Sequence, residues 1–165
     1  MMRLTEIDKL FRSVFPLIRP QNSKLFRMRE DFSKYEGNML SRELGDMSWD
    51  RLLLAEQQAK MKKLFSKNKL FPFLKPRGFV YYLPAFLIYM LKNHDGEFMQ
   101  FCMFNMTPGD TGLSQNRVGE IYMLLNEEQI SAVKVSLEAI SEKWCDFGEN
   151  ENMAKIALNG YWKYV

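Results

Sequence analysis

A single histidine, His94, and two widely separated cysteines, Cys102 and Cys145, are all that this chain of 165 residues offers of the softer metal-ligating side chains. A His-rich metal site and the closely spaced ligand pairs of a zinc module are thereby excluded. Two such cysteines fit a pair of buried thiols in a reducing compartment better than a disulfide scaffold. The uncharged run from Phe79 to Leu91 has thirteen residues and is interrupted by Pro84, whereas a membrane-spanning helix needs about 20. The N-terminus, Met1-Met2-Arg3-Leu4-Thr5-Glu6-Ile7-Asp8-Lys9, mixes acids with bases and has no apolar run of signal-peptide length. Gly109-Asp110-Thr111-Gly112 has neither the length nor the lysine of a phosphate-binding loop. Repeats and low-complexity tracts are also missing. No cofactor, metal or membrane association is expected, and the location expected is the cytoplasm.

With 47% hydrophobic and 26% charged residues the chain has a globular composition. Residues 1–165 are expected to form one domain that buries roughly two thirds of its unfolded surface. Thirteen Phe, seven Tyr, three Trp and twelve Met give an aromatic, adaptable core. The formal charge of +3 hides a partition: residues 1–92 hold 18 Lys or Arg against 9 acids, and residues 93–165 hold 5 against 11. Such halves either present two faces of opposite sign or cancel where they pack together.

Periodicity predicts a mostly α fold, a helical bundle of six to eight helices, with a possible minor β element around residues 98–125. Thr5 and Asp8 resemble a cap, and Ile7, Leu10, Phe11 and Val14 form one stripe that Pro16 ends. Between residues 19 and 38, Pro20, Asn22 and Ser23 suggest a turn, and Leu25, Phe26, Met28 and Phe32 a second helical stretch. Asp46 and Ser48 are placed to cap a long helix through Phe65, with Trp49, Leu52, Leu53 and Leu64 apolar. Residues 66–78 read as a connector whose Pro76 can open the next helix. Pro84, costing about 3 kcal/mol in a helix interior, predicts one helix ending near Tyr82 and another starting near Pro84. Phe98, Phe101, Cys102 and Phe104 suit helix or strand, with helix preferred, and residues 118–125 suit either. Residues 107–112 are a loop. Asn126 with Gln129 forms a capping box for a helix carrying Ile130, Val133, Leu137, Ile140 and Trp144. A last helix over residues 150–159, closed by Gly160, leaves Tyr161, Trp162 and Tyr164 as a packing tail.

Four segments taken together carry a resemblance: Trp49-Asp50-Arg51-Leu52, Phe73-Leu74-Lys75-Pro76-Arg77-Gly78-Phe79, Tyr81-Tyr82-Leu83-Pro84-Ala85-Phe86-Leu87 and Leu125-Asn126-Glu127-Glu128-Gln129. A Trp-x-x-Leu helix, a Phe-Leu-x-Pro turn and a Tyr-Tyr-Leu-Pro-Ala segment before a capped helix resemble an uncharacterised bacterial family over residues 46–145. The core motif is Trp49, Phe79, Tyr81, Tyr82 and Pro84. The resemblance implies a small intracellular helical protein of bacteria and carries no assigned activity.

Candidate chemistry is sparse. Cys102 with His94 and Asp95 could be arranged as nucleophile, base and orienter, but Cys102 lies within the apolar run Phe101 to Phe104, where burial raises a thiol's pKa. Acid pairs at Glu127-Glu128 and Glu149 to Glu151 sit at helix starts, where the dipole favours negative charge. Tyr81, Tyr82 and Tyr89 either line a ligand pocket beside Trp49 or fix a core through their hydroxyls. Between residues 60 and 77, Lys60, Lys62, Lys63, Lys67, Lys69, Lys75 and Arg77 stand without an acid among them, interleaved with Phe65, Phe71 and Phe73. That pattern could track a nucleic-acid backbone and stack bases, or it could be a solvated helix face over core anchors.

With no catalytic residues or cofactor motif and with split charge, the sequence suits a non-enzymatic module that binds a protein. The class expected is a bacterial immunity protein that neutralises a cognate toxin such as a nuclease. Glu138, Glu142, Asp146, Glu149 and Glu151 would meet the toxin's basic surface. The alternative is a nucleic-acid-binding accessory protein using residues 60–77.

Overall fold

A computed structural model describes residues 3–27, 36–67, 70–107, 115–144 and 153–162. Among the described residues the fold is mostly α: nine α-helices and several tighter or wider helical turns, with no strand beyond one antiparallel bridge between Phe26 and Leu74. The helix count slightly exceeds the six to eight expected. The segment considered for a minor β element is helical where it is described, over Gly96–Phe104 and Gln115–Tyr122.

Helix α1 (Leu4–Val14) turns Ile7 and Phe11 inward. Its start differs from the Thr5/Asp8 cap, because the Arg3 backbone N–H donates instead to Glu6 Oε2 at 2.6 Å. The pattern ends before Pro16, as the missing proline N–H requires. Helix α2 (Asn22–Leu25) is a single turn. Met28 and Phe32, expected to continue it, lie outside the described residues. Helix α3 (Glu36–Leu44) follows and ends at Gly45, whose φ of +49° supplies the left-handed cap that glycine adopts most easily.

The long helix expected over residues 46–65 is divided. Residues Arg51–Leu53 form a 3₁₀ turn, Leu54 is extended, α4 spans Ala55–Lys62, and Lys63–Lys67 widens into a π turn. Trp49 is the physical reason. Its ring is fully buried and its indole N–H donates to the Pro16 carbonyl at 3.1 Å, which holds residues 47–50 against the α1–α2 loop. The Ser48 hydroxyl turns to Asp50 instead of capping a helix.

Helix α5 (Pro76–Lys92) is the axle of the bundle. Pro76 opens it at the first helical position, as expected. Pro84, however, does not divide it: the helix runs through, and every residue from Tyr81 to Leu91 is buried. Burying a large apolar side chain contributes about 1.5–3 kcal/mol. Phe79, Leu83, Phe86, Leu87, Ile88 and Met90 together therefore outweigh the roughly 3 kcal/mol cost of one interior proline. Around α5 pack α1, α2, α6 (Gly96–Phe104), α7 (Gln115–Tyr122) and α8 (Glu127–Lys143). Helix α8 begins with the expected box, Asn126 Oδ1 accepting from the Gln129 N–H at 2.9 Å while Gln129 Oε1 accepts from the Asn126 N–H at 3.1 Å. Helix α9 (Met153–Ala157) continues as a π turn through Leu158–Trp162, so Gly160 lies within the turn and does not close the helix. Trp162 is buried and donates its indole N–H to the Met106 carbonyl at 3.0 Å. The side chain of Tyr161 and the whole of Tyr164 lie outside the described residues.

At the centre is a cluster of rings. Phe65 and Phe71 stand 4.6 Å apart between centroids, and both meet Phe86 and Phe98 edge-on. The entry of α5 is fixed by backbone pairing: the Arg27 N–H donates to the Phe73 carbonyl and the Lys75 N–H to the Leu25 carbonyl, each at 2.8 Å. Gly78 then passes so near α2 that a Cβ at this position would sit 2.1 Å from the Leu25 carbonyl oxygen. Gly78→Ala should therefore cost about 1–3 kcal/mol or more, the range for overpacking a tight contact. Gly119→Ala, where a Cβ meets nothing within 4 Å, should stabilise by about 0.5–1 kcal/mol. Urea denaturation midpoints that move in opposite directions at unchanged slope would bear both out.

Candidate functional site

The core motif is architectural. Trp49, Phe79, Tyr81, Tyr82 and Pro84 are all buried, and the hydroxyls find backbone partners. Tyr81 donates to the Leu17 carbonyl at 3.1 Å and Tyr82 to the Met47 carbonyl at 3.2 Å, while Tyr82 also accepts from Arg19 Nε at 3.1 Å. These bonds fasten the loops at residues 16–19 and 47–49 to α5. Of the two roles open to the tyrosines, the structure gives Tyr81 and Tyr82 the structural one. Burial first, and the neighbouring Tyr82 second, push the Tyr81 phenol up to about 12, and burial raises Tyr82 as well.

Tyr89 differs, because it lines a polar cleft of about 490 Å³ with Gln58, Lys62, Asn93, His94 and Asp95. Asp95, only 8% exposed, caps α6 by accepting the Phe98 N–H at 3.1 Å. It also accepts from Tyr89 at 3.2 Å and Ser66 at 3.3 Å, and Lys62 Nζ stands 3.5 Å away. Burial, then the Asp95 charge, raise the Tyr89 phenol to about 12. The carboxylate is thus engaged by four donors. His94 lies beside Trp144 at 4.9 Å between rings. Cys102 is fully buried, and its thiol is pushed up by desolvation alone, which withholds the thiolate that a nucleophile needs. Cys145 and the loop at residues 109–112 lie outside the described residues.

The basic segment is dispersed by the fold. Lys60 donates to the Glu43 carbonyl at 2.9 Å, Lys62 faces Asp95, and Lys75 donates to the Ser23 carbonyl at 2.7 Å. Lys63 and Lys67 are exposed, and Lys69 lies outside the described residues. Phe65 and Phe71 are fully buried and Phe73 packs on the core. None of the first two rings is available to stack on a base.

Lys75 and Arg77 instead rim a groove of about 500 Å³ together with Lys24, Glu120, Met123 and Leu124. Met123 is 81% exposed and Leu124 39%. The sequence signal for this surface is Met123-Leu124-Leu125: three apolar residues in a row at the end of a helix cannot all turn inward, and only Leu125 is buried. Arg117, on α7 and 5% exposed, donates through Nη2 to the Leu74 carbonyl at 2.8 Å and the Phe71 carbonyl at 3.4 Å, with Nε buried and unpaired among the described residues. Burial, and then the charge of Arg27, pull its pKa down to about 10 against the opposing pull of Glu120.

On the far side of the sequence's charge partition, α8 buries Ile130, Val133, Leu137 and Ile140. Of its exposed positions, Glu128, Ser131, Glu138 and Glu142 share one face at three- and four-residue spacing, with half-buried Lys134 and Val135 between Ser131 and Glu138 and exposed Lys143 beside Glu142. Glu138 and Glu142 are therefore brought together one turn apart, whereas Asp146, Glu149 and Glu151 lie outside the described residues.

A model for a family of unknown function, DUF6714, matches residues 17–165, in keeping with the uncharacterised family expected. No curated protein and no solved structure matches the chain.

Two outcomes follow for the buried polar groups. Asp95→Ala strands the Ser66 and Tyr89 hydroxyls and removes the α6 cap, so it should cost about 3 kcal/mol, with Asp95→Asn costing less because it keeps an acceptor; chemical denaturation of both variants measures this. The phenols of Tyr81, Tyr82 and Tyr89 hold their protons more tightly folded than unfolded, where the ordinary value is 10. The contribution of Tyr81 and Tyr89 is fully present below that value and is lost as pH rises through their folded values of about 12, and Tyr82 acts in the same direction. The urea midpoint should fall across that window, with tyrosinate absorbance rising in step with unfolding.

Proposed function

The chain belongs to the DUF6714 family of unknown function, and we propose that it acts by binding another protein, without catalysis of its own, as a bacterial immunity protein that neutralises a cognate toxin in the cytoplasm. The observation that carries this reading is the acidic ridge of α8, where Glu128, Glu138 and Glu142 stand exposed on a helix whose other face is locked into the core. Carboxylates held on a rigid helix keep their mutual spacing, so they can steer a basic partner into register and raise its association rate. A toxin that acts on nucleic acid presents such a basic surface, and covering it blocks the substrate's approach.

The side chains of greatest chemical promise support the same reading from the other side. Cys102 is sealed in the core, and the hydroxyls of Tyr81, Tyr82 and Tyr89 are engaged in holding loops and Asp95. Binding of nucleic acid through residues 60–77 ranks second. Exposed Lys63 and Lys67 favour it, but the burial of Phe65 and Phe71 removes the stacking partners that would turn a few lysines into a platform.

The test is affinity capture from cells that make the protein, with and without nuclease, comparing the natural chain with Glu138→Lys/Glu142→Lys. One protein partner that survives nuclease and is lost with the charge-reversed chain is the expected result. For that partner, stopped-flow association should slow by about tenfold in low salt on charge reversal, and less as salt screens the ridge. Capture indifferent to both substitutions, or recovery of nucleic acid alone, would sink the proposal.

A further inference from the structure

We infer that the groove at the start of α5 and the end of α7 is a second docking surface, shaped for an acidic amphipathic segment of a protein partner. Three independent features of the same place lead there. The first is the floor. Pro76, Met123 and Leu124 line a concave surface of about 500 Å³, within the roughly 300–1,000 Å³ of ligand-holding clefts. Met123 at 81% exposure and Leu124 at 39% are large apolar side chains left in water beside a folded helix, a standing cost that a bound apolar side chain removes.

The second feature is the rim. Lys24, Lys75 and Arg77 surround the floor, against one acid, Glu120. Lys75 is held in place by the Ser23 carbonyl, so part of the cationic edge is positioned before any partner arrives. The third is the field behind it. Helix α5, seventeen residues long, begins at this groove with no acid in its first turn and no side-chain cap, so no carboxylate of its own offsets the positive end of its dipole there. Arg117, buried and donating to the Leu74 carbonyl just before Lys75, adds charge of the same sign, opposed in part by Glu120.

An apolar floor inside a cationic rim selects for the opposite arrangement in its occupant. One or two Leu, Ile or Phe side chains would sit on Met123 and Leu124, flanked by Asp or Glu that meet Lys24 and Arg77. A helical or extended segment with apolar residues at i and i+3 or i+4 provides this. Nucleic acid is the poorer match because the lining offers aliphatic groups and no ring for a base to stack on. An anionic membrane is the poorer match because Glu120 stands on the same rim and an acidic lipid surface repels it. This surface is distinct from the acidic ridge of α8, and the inference does not depend on that ridge's role.

The experiment uses the full chain and a panel of fluorescein-labelled helical peptides with Leu or Phe at i, i+3 and i+7 and Glu at the remaining positions, with Lys-for-Glu counterparts as controls. Anisotropy should show saturable binding of the acidic peptides and none of the basic ones. Met123→Asp and Arg77→Glu, both at exposed positions, should each weaken binding by about tenfold, with helicity and melting temperature unchanged. Glu138→Lys/Glu142→Lys should leave peptide binding intact, which separates this surface from the α8 ridge. No saturable binding by any acidic peptide, equal binding of the basic set, or affinity unmoved by Met123→Asp would overturn the inference. So would displacement of bound peptide by an oligothymidylate, or by vesicles rich in phosphatidylserine, at lower concentration than unlabelled peptide.

Discussion

The meeting of Gly78 with the Leu25 carbonyl is the constraint on which the rest of the molecule depends. Two backbone hydrogen bonds, Arg27 to Phe73 and Lys75 to Leu25, bring the end of α2 against the segment that leads into α5. Gly78 permits an approach that any side chain would block. Once that entry is fixed, the direction of α5 is fixed, and Phe79, Tyr82 and Phe86 arrive against Phe26, Phe65, Phe71 and Phe98. The remaining helices then pack around an axle whose residues are buried almost end to end. The same segment delivers the Leu74 and Phe71 carbonyls to Arg117, which ties α7 to it.

Polar groups inside this core act as fasteners. Trp49 to Pro16, Tyr81 to Leu17, Tyr82 to Met47 and Trp162 to Met106 all join an aromatic donor to the carbonyl of a loop or helix end distant in sequence. A ring supplies apolar bulk to the core while its single donor reaches the margin, where backbone carbonyls outside regular helices need partners. Asp95 does the complementary work, gathering donors from α5, α6 and the π turn into one buried acceptor. Groups of this kind resemble reactive ones in a sequence. In the folded chain they are engaged in holding connections together.

Several ion pairs of the described residues stay within the first half of the sequence. Lys62 with Asp95 joins the halves, but Arg12 with Asp8 and Asp50, Arg19 with Asp46, and Lys60 with Glu43 are pairings within the first half. Lys24, Lys75 and Arg77 gather at one groove, and Glu128, Glu138 and Glu142 stand exposed along α8. Surfaces of opposite sign on one small body can meet two different partners, or two regions of one.

The sequence by itself determined the helical class, the capping box of α8, the opening of α5 at Pro76 and the burial of Cys102, because each rests on local pattern: apolar spacing, a cap residue three positions from its partner, a proline where no N–H is required, a thiol inside an apolar run. It misread Pro84 and the region of Trp49 because both are settled by energies from outside the segment. Burial on all sides of α5 outweighs the local cost of an interior proline, and a tryptophan drawn to a carbonyl 33 residues away divides what periodicity reads as one helix. The site was less legible than the fold. Seven basic residues in a row of eighteen look like one surface in sequence, yet the tertiary structure assigns Lys60, Lys62 and Lys75 to separate partners and gathers Lys75 and Arg77 with Lys24, Met123 and Leu124, from three distant segments. Sequence records which side chains a helix can turn outward. Which of them meet to make a surface depends on the packing of helices against one another, and that is decided only in three dimensions.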